Sequence, residues 1–151
     1  MLKEKEINLF NKKEQSLERQ RQELMHALAA RLHKEWRNLR FKKDGSFEPR
    51  HKKTKDKKWI EEHGGNDDID IANTDFEDLP KDWQEENLLS AKVAIEKIED
   101  VLYIIHDKWL DRNEEFAEEN QKMQYSRLPN DEKIKDIEIL EEAIKIMRGQ
   151  L

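Results

Sequence analysis

At 151 residues the chain is long enough for one domain, or for two small units that share a core. Only 35% of residues are hydrophobic and 42% are charged, which excludes a thick globular core; four Trp, five Phe and two Tyr, each able to bury roughly 150–250 Å², exclude full disorder. Cysteine is absent, which excludes disulfides and thiolate metal sites, and with neither an apolar run of about 18 residues nor a signal-type apolar stretch at the start the expected location is the cytoplasm.

Residues 3–39 predict one long helix. Phe10, Leu17 and Leu24 lie seven apart, and Leu28, Leu32 and Trp36 continue the stripe at intervals of four. Up to Leu17 the apolar residues are too few to form a core. That part is expected to extend or fray, or to pair with another chain as a short coiled coil. From Phe41 the pattern changes. Asp44-Gly45 between Phe41 and Phe47 predicts a hairpin turn, with Pro49 reducing its second arm to a short edge strand. Thr54 is placed to cap a short helix carrying Trp59 and Ile60 and ending at Gly64-Gly65. Ile69-Asp70-Ile71 alternates like a minimal strand, and Asn73-Thr74-Asp75 is turn chemistry.

A second long helix is predicted from Pro80 to about Arg112, with Trp83, Leu88, Ala91, Ala94, Ile95, Ile98, Val101, Leu102, Ile105 and Trp109 as its apolar positions. A polar connector over 114–127 follows, with Phe116 and Tyr125 as expected anchors. A third helix starts at Pro129, offers Ile134, Ile137, Leu140, Ala143, Ile144 and Met147 as a buried face, and stops at Gly149.

Two stretches are written twice. Leu32-His33-Lys34-Glu35-Trp36 is echoed by Ile105-His106-Asp107-Lys108-Trp109, and Phe76-Glu77-Asp78-Leu79-Pro80 by Tyr125-Ser126-Arg127-Leu128-Pro129. The second echo continues in register, with Asn87 on Asp136 and Ile95 on Ile144. This predicts a duplicated helical unit. The spacing from His33 to Phe76 exceeds that from His106 to Tyr125 by 24 residues, so copy one carries an elaborated loop. The expected fold is therefore mainly α: three long helices forming two fused repeats, with a short β-hairpin and a short helix inserted in the first. Residues 1–23 form a helical extension, 24–98 repeat one with its inserted loop over 40–78, and 98–151 repeat two.

The His106-x-x-Trp109 helix, the Tyr125-x-x-Leu128 start, Glu132-Lys133 and Asp136 resemble the RyR repeat, a small module named from ryanodine receptors. Repeat one matches through His33-x-x-Trp36 and Phe76-x-x-Leu79, with Asn87 in place of the Asp; neither half has the family's Gly-Trp-x-Tyr-Gly-Pro stretch. The resemblance implies a non-catalytic module of a type that also occurs in bacterial and phage proteins. There it implies a sensor or binder of small nucleotide-like signals, often in mobile-element or defence settings.

Charge adds a second asymmetry. The net charge is −6, but residues 42–58 hold seven Lys and one Arg against three acids, while 61–87 hold eleven acids against Lys81. The plain expectation is two solvated loops that neutralise one another; the sharper one is a basic stretch that concentrates an anion. Arg37 and Arg40 share a helix face near Trp36 and offer planar forks suited to phosphate or carboxylate. With His33, Arg50, Lys52 and Trp59 they form the candidate ligand site, and His106, Trp109 and Tyr125 are its equivalents in repeat two. An anionic nucleotide-like molecule is the expected ligand. The bland alternatives are that both His/Trp pairs are scaffold and that the Arg residues pin the loop through its acids.

No P-loop, Gly-x-Gly-x-x-Gly or Gly-x-Ser-x-Gly is present, so an enzyme is not expected. The five His include no His-x-x-x-His pair, so neither a metal nor another cofactor is expected. Nucleic acid is a poor fit to an acidic chain, in spite of the basic stretch with Phe47 and Trp59 interleaved. The alternative function is a protein–protein interaction or assembly module: an oligomer through the N-terminal helix, or an acidic inhibitor of a nucleic-acid enzyme.

Overall fold

The computed structural model of the chain describes residues 2–149. Among them the order is α1 (Leu2–Asn38), β1 (His51–Lys53), α2 (Lys57–Glu62), β2 (Asp68–Asp70), α3 (Lys81–Asn113) and α4 (Asn130–Met147). Single turns of 3-10 helix lie at Ile71–Asn73, Phe76–Asp78 and Tyr125–Arg127. The fold is mainly α with three long helices, a two-stranded antiparallel sheet and short helices, as the periodicity predicts. No helix among the described residues is long and apolar enough to cross a membrane. The chain divides into two compact units, Met1–Val93 and Ala94–Leu151.

In the first unit, Ala29 of α1 and Ala91 of α3 share a core with Ile69, Ile71, Phe76 and Leu79. Trp36, Trp59, Trp83 and Leu88 pack around it. The predicted α1 stripe is corrected. Met25, Ala29 and His33, four apart, are the buried line, whereas Leu24 and Leu32 are exposed. Ala29 has no bulk beyond Cβ, which lets the covering segments approach this face closely; the heptad of larger residues lies on the neighbouring face.

The loop between α1 and α3 is also re-paired. Gly45, with φ +87°, turns the chain as predicted, but only a single bridge, Phe41 to Phe47, forms there. The strands are β1 and β2, in register His51↔Asp70, Lys52↔Ile69 and Lys53↔Asp68. The predicted edge strand thus begins two residues beyond Pro49 and pairs with the Ile69 segment. The cap of α2 is Asp56, which accepts from the Trp59 N–H; Thr54, expected in that role, lies outside the helix.

In the second unit, Ile95, Leu102 and Leu128 are buried together with two polar residues, His106 and Asp136. The predicted α4 face is corrected here. Asp136 is its buried residue, Ile137 and Leu140 are half-buried, and Ile134, Ala143, Ile144 and Met147 are exposed. Ile98 and Val101 of α3 are exposed as well. Phe116, expected as an anchor, is 82% exposed, while Leu128 supplies the anchor after Tyr125.

Candidate functional site

The two units build the same frame around their histidines. In the first, His33 is buried and its Nε2–H donates to the Thr74 carbonyl at 2.8 Å. In the second, His106 is buried and its Nε2–H donates to the Met123 carbonyl at 3.0 Å. A carbonyl only accepts, which assigns the proton to Nε2 in both rings. Each acceptor lies two residues before the aromatic of the following 3-10 turn, Phe76 or Tyr125. Each turn closes with the N–H of a buried leucine, Leu79 or Leu128, donating back to that aromatic's carbonyl. The i+3 tryptophan lies nearly parallel to its histidine ring, at 5.8 Å and 20° for Trp36 and at 6.2 Å and 16° for Trp109. Even the residue four after each proline reaches back to its turn: Gln84 donates to the carbonyls of Phe76 and Glu77, and Lys133 to that of Ser126.

The copies diverge at the second ring nitrogen. His106 Nδ1 faces the buried Asp136 Oδ2 at 3.4 Å. Burial pushes the Asp136 carboxyl above its ordinary range, against the pull of His106. Burial and the nearby charges of Asp136 and Glu99 raise the Tyr125 phenol too. In unit one Asn87 holds the corresponding position and donates instead to the Trp83 carbonyl. Burial there pushes the His33 imidazole below its usual value, helped by Arg37 and opposed by the Thr74 carbonyl.

The predicted ligand residues separate into two groups. His33 and Arg37 line an open groove of about 490 Å³ together with Lys34, Phe47, Asp75 and Phe76. Arg37 is held there by two acceptors: its Nε–H donates to the Ala72 carbonyl at 2.7 Å and Nη1 to the Asp75 carboxylate. Its guanidinium also lies 4.4 Å over the Phe47 ring. Trp36 packs against the core, and Arg40 lies 4.7 Å over its ring.

Arg50, Lys52 and Trp59 do not line this groove. The Arg50 backbone is tied to Asp70 and Ile71. Lys52 lies on β1 with its ammonium 5.8 Å over Trp83. Trp59 packs on the core and stacks at 3.8 Å on His63. The β1–β2 pairing explains this separation. It commits the basic arm to the acidic arm, through His51 with Asp68 at 2.6 Å and Lys53 with Asp67 at 2.7 Å, rather than folding it over α1. In the second unit His106 and Tyr125 line a smaller cavity of about 110 Å³ with Tyr103, Leu110 and Lys122, while Trp109 is not among its walls.

Lys34, Phe47 and Asp75 are among the groove residues absent from the predicted ligand site, as are Ala30, Asn38 and Phe76. Lys34 sits inside the repeated His-x-x-Trp stretch, opposite Asp107 in copy two, so the divergence between copies was the available signal. The groove sets the Lys34 and Arg37 cations beside the Phe47 ring, an arrangement that can meet an anion and a flat ring together. His33 and His106 each give Nε2–H to a fixed carbonyl. Among the described residues no group of three or more His or carboxylate side chains is placed to hold a metal ion.

Compared with known proteins, the chain matches no family model, no curated protein and no solved structure.

Proposed function

We propose that the chain is a non-catalytic binding module that takes an anionic, ring-bearing molecule of nucleotide type in the groove of its first unit. The observation that carries this reading is the placement of Lys34 and Arg37 beside the Phe47 and Phe76 rings in one groove of about 490 Å³. That is a volume suited to a small molecule. Arg37 spends two of its five N–H donors on Ala72 and Asp75, so it stands fixed in orientation with donors left for a phosphate. Lys34 adds an exposed ammonium, and the half-buried Phe47 ring supplies an aromatic surface for a base. Under this proposal the two units are RyR-like repeats of a cytoplasmic protein. The shared histidine–carbonyl frame supports the duplication, and the divergent groove supports specialisation of copy one.

Thermal melts against a panel of nucleotides and dinucleotides test it. A ligand at 100 times its Kd adds about 2.7 kcal/mol of stability, and the expected result is a raised midpoint with at least one panel member. Lys34→Glu should remove that shift while leaving the unliganded midpoint in place, because the side chain is exposed. A flat panel, or a shift that Lys34→Glu leaves intact, removes the groove from consideration.

A further inference from the structure

Among the described residues nothing covers the first half of α1: every residue from 3 to 20 is exposed. At about 1.5 Å per residue that is roughly 27 Å of bare helix. It is not uniformly polar. Ile7, Phe10, Leu17 and Leu24 are 57%, 53%, 45% and 57% exposed. They fall on one line at alternating heptad positions, whose remaining places are Glu14 and Arg21. An isolated helix of this length is marginal in water, and a heptad line of four large apolar side chains is the surface a second helix covers.

We propose that this face pairs with the same face of a second copy, and that the two helices run antiparallel. The charges on the line decide the direction. A parallel pair sets Glu14 against Glu14 and Arg21 against Arg21 in successive core layers, and like charges there oppose association. It would gain rim pairs between Lys13 and Glu18, but exposed rim pairs contribute little. The antiparallel register that sets Ile7 against the second copy's Leu24 resolves both conflicts. It places Phe10 against the second copy's Arg21, a cation–π arrangement, and Leu17 against its Glu14. It also brings Glu14 within one helical turn of the second copy's Arg21. The overlap covers about 18 residues of each helix, short beside a standard interface of about 800 Å² per partner. The dimer therefore dissociates on dilution. The groove residues Lys34 and Arg37 lie outside the overlap, so the fate of the proposed ligand site and the fate of this dimer are separate questions.

Sedimentation of the full chain from about 1 µM to about 200 µM tests association, with the expected result a monomer passing to a dimer as concentration rises. Leu17→Glu, at an exposed position, should leave a monomer throughout, with helicity that does not rise with concentration. Orientation follows from cross-linking, which is unambiguous because the natural chain has no cysteine. Under a glutathione redox buffer, Ile7→Cys mixed with Leu24→Cys should yield a disulfide-linked heterodimer, while each variant alone yields none. A monomer at every concentration, or a dimer indifferent to Leu17→Glu, overturns the interface. Self-linking of each variant alone without the mixed product overturns the antiparallel register.

Discussion

His33 and Asp136 are buried polar residues of the two units, and their surroundings give them opposite kinds of pH dependence. Burial lowers the His33 value from its ordinary 6.5. The unfolded chain then binds the proton more readily than the folded one, so the stability this residue contributes is present above about pH 6.5 and lost as pH falls through the folded value. Burial raises Asp136 from 3.8; its contribution is present below that value and lost as pH rises through the folded one. His33→Gln keeps a donor for the Thr74 carbonyl and deletes the titration. In chemical denaturation between pH 4 and 7, this variant should lose less stability on acidification than the natural chain. Asp136→Asn should show the reverse, with stability relative to the natural chain improving as pH rises. A His33→Gln curve parallel to the natural one would mean that the ring is not buried neutral.

Asp136 also shows what kind of residue a sequence pattern hides. A charged residue between Lys135 and Ile137 on a helix reads as solvent-facing. It is buried because His106, on another helix, supplies the partner that a buried carboxylate requires. Arg37 makes the same point in the other direction. It reads as an anion binder by residue type, and the turn after β2 uses part of that capacity through Ala72 and Asp75. The loop-pinning role that the acids of 67–78 suggested for the Arg residues is met at Arg37 through Asp75, while Arg40 turns to Trp36 instead.

Among elements, the long helices were legible because their start and stop signals are local. Pro80 and Pro129 precede α3 and α4, and Gly149, with φ +71°, lies just past α4. The minimal strand at Ile69 was legible by alternation. Its partner was not, because pairing is a contact between residues about 17 apart. The start of α2 shows how tertiary contact reassigns a local signal. Thr54 and Asp56 are both good caps. Thr54 is buried and donates its hydroxyl to Asp82 at 2.7 Å, while accepting from the Asp56 N–H at 3.0 Å. Asp56 is thereby left to cap α2, and its other oxygen accepts from the Lys81 N–H at the start of α3 at 2.9 Å. Thr54→Val removes both bonds of that hydroxyl at nearly constant volume. It should cost about 1–2 kcal/mol in urea denaturation, with the slope unchanged. A neutral substitution would show that the loop is held by β1–β2 alone.

For the whole chain, the composition forecast of little core material holds, and the two units share it unequally. The first unit clusters six buried apolar residues around Ala29 and Phe76, with three tryptophans packed against them. In the second, the buried apolar residues are Ile95, Leu102 and Leu128, set beside a buried histidine and aspartate, and every described residue after Leu140 is exposed. Local opening costs least where few apolar contacts must be broken. Hydrogen exchange should therefore show the strongest protection around Ala29 and Ala91 and, within the second unit, the weakest helical protection over residues 141–147. Equal protection of that segment and the Ala29 turn would show that something covers the end of α4 in solution.

The sequence by itself determined the approximate bounds of the three long helices, the mainly α class and the twice-written His-x-x-Trp and aromatic-x-x-Leu-Pro frame, because periodicity, prolines and glycines act within a few residues of where they stand. Tertiary structure alone decided which face of α1 is buried, which acids are partnered, and that Arg50, Lys52 and Trp59 do not line the groove occupied by His33 and Arg37. The last of these follows from the pairing of β1 with β2. That pairing sends the basic arm to the acidic one, and no property of either arm taken alone specifies it.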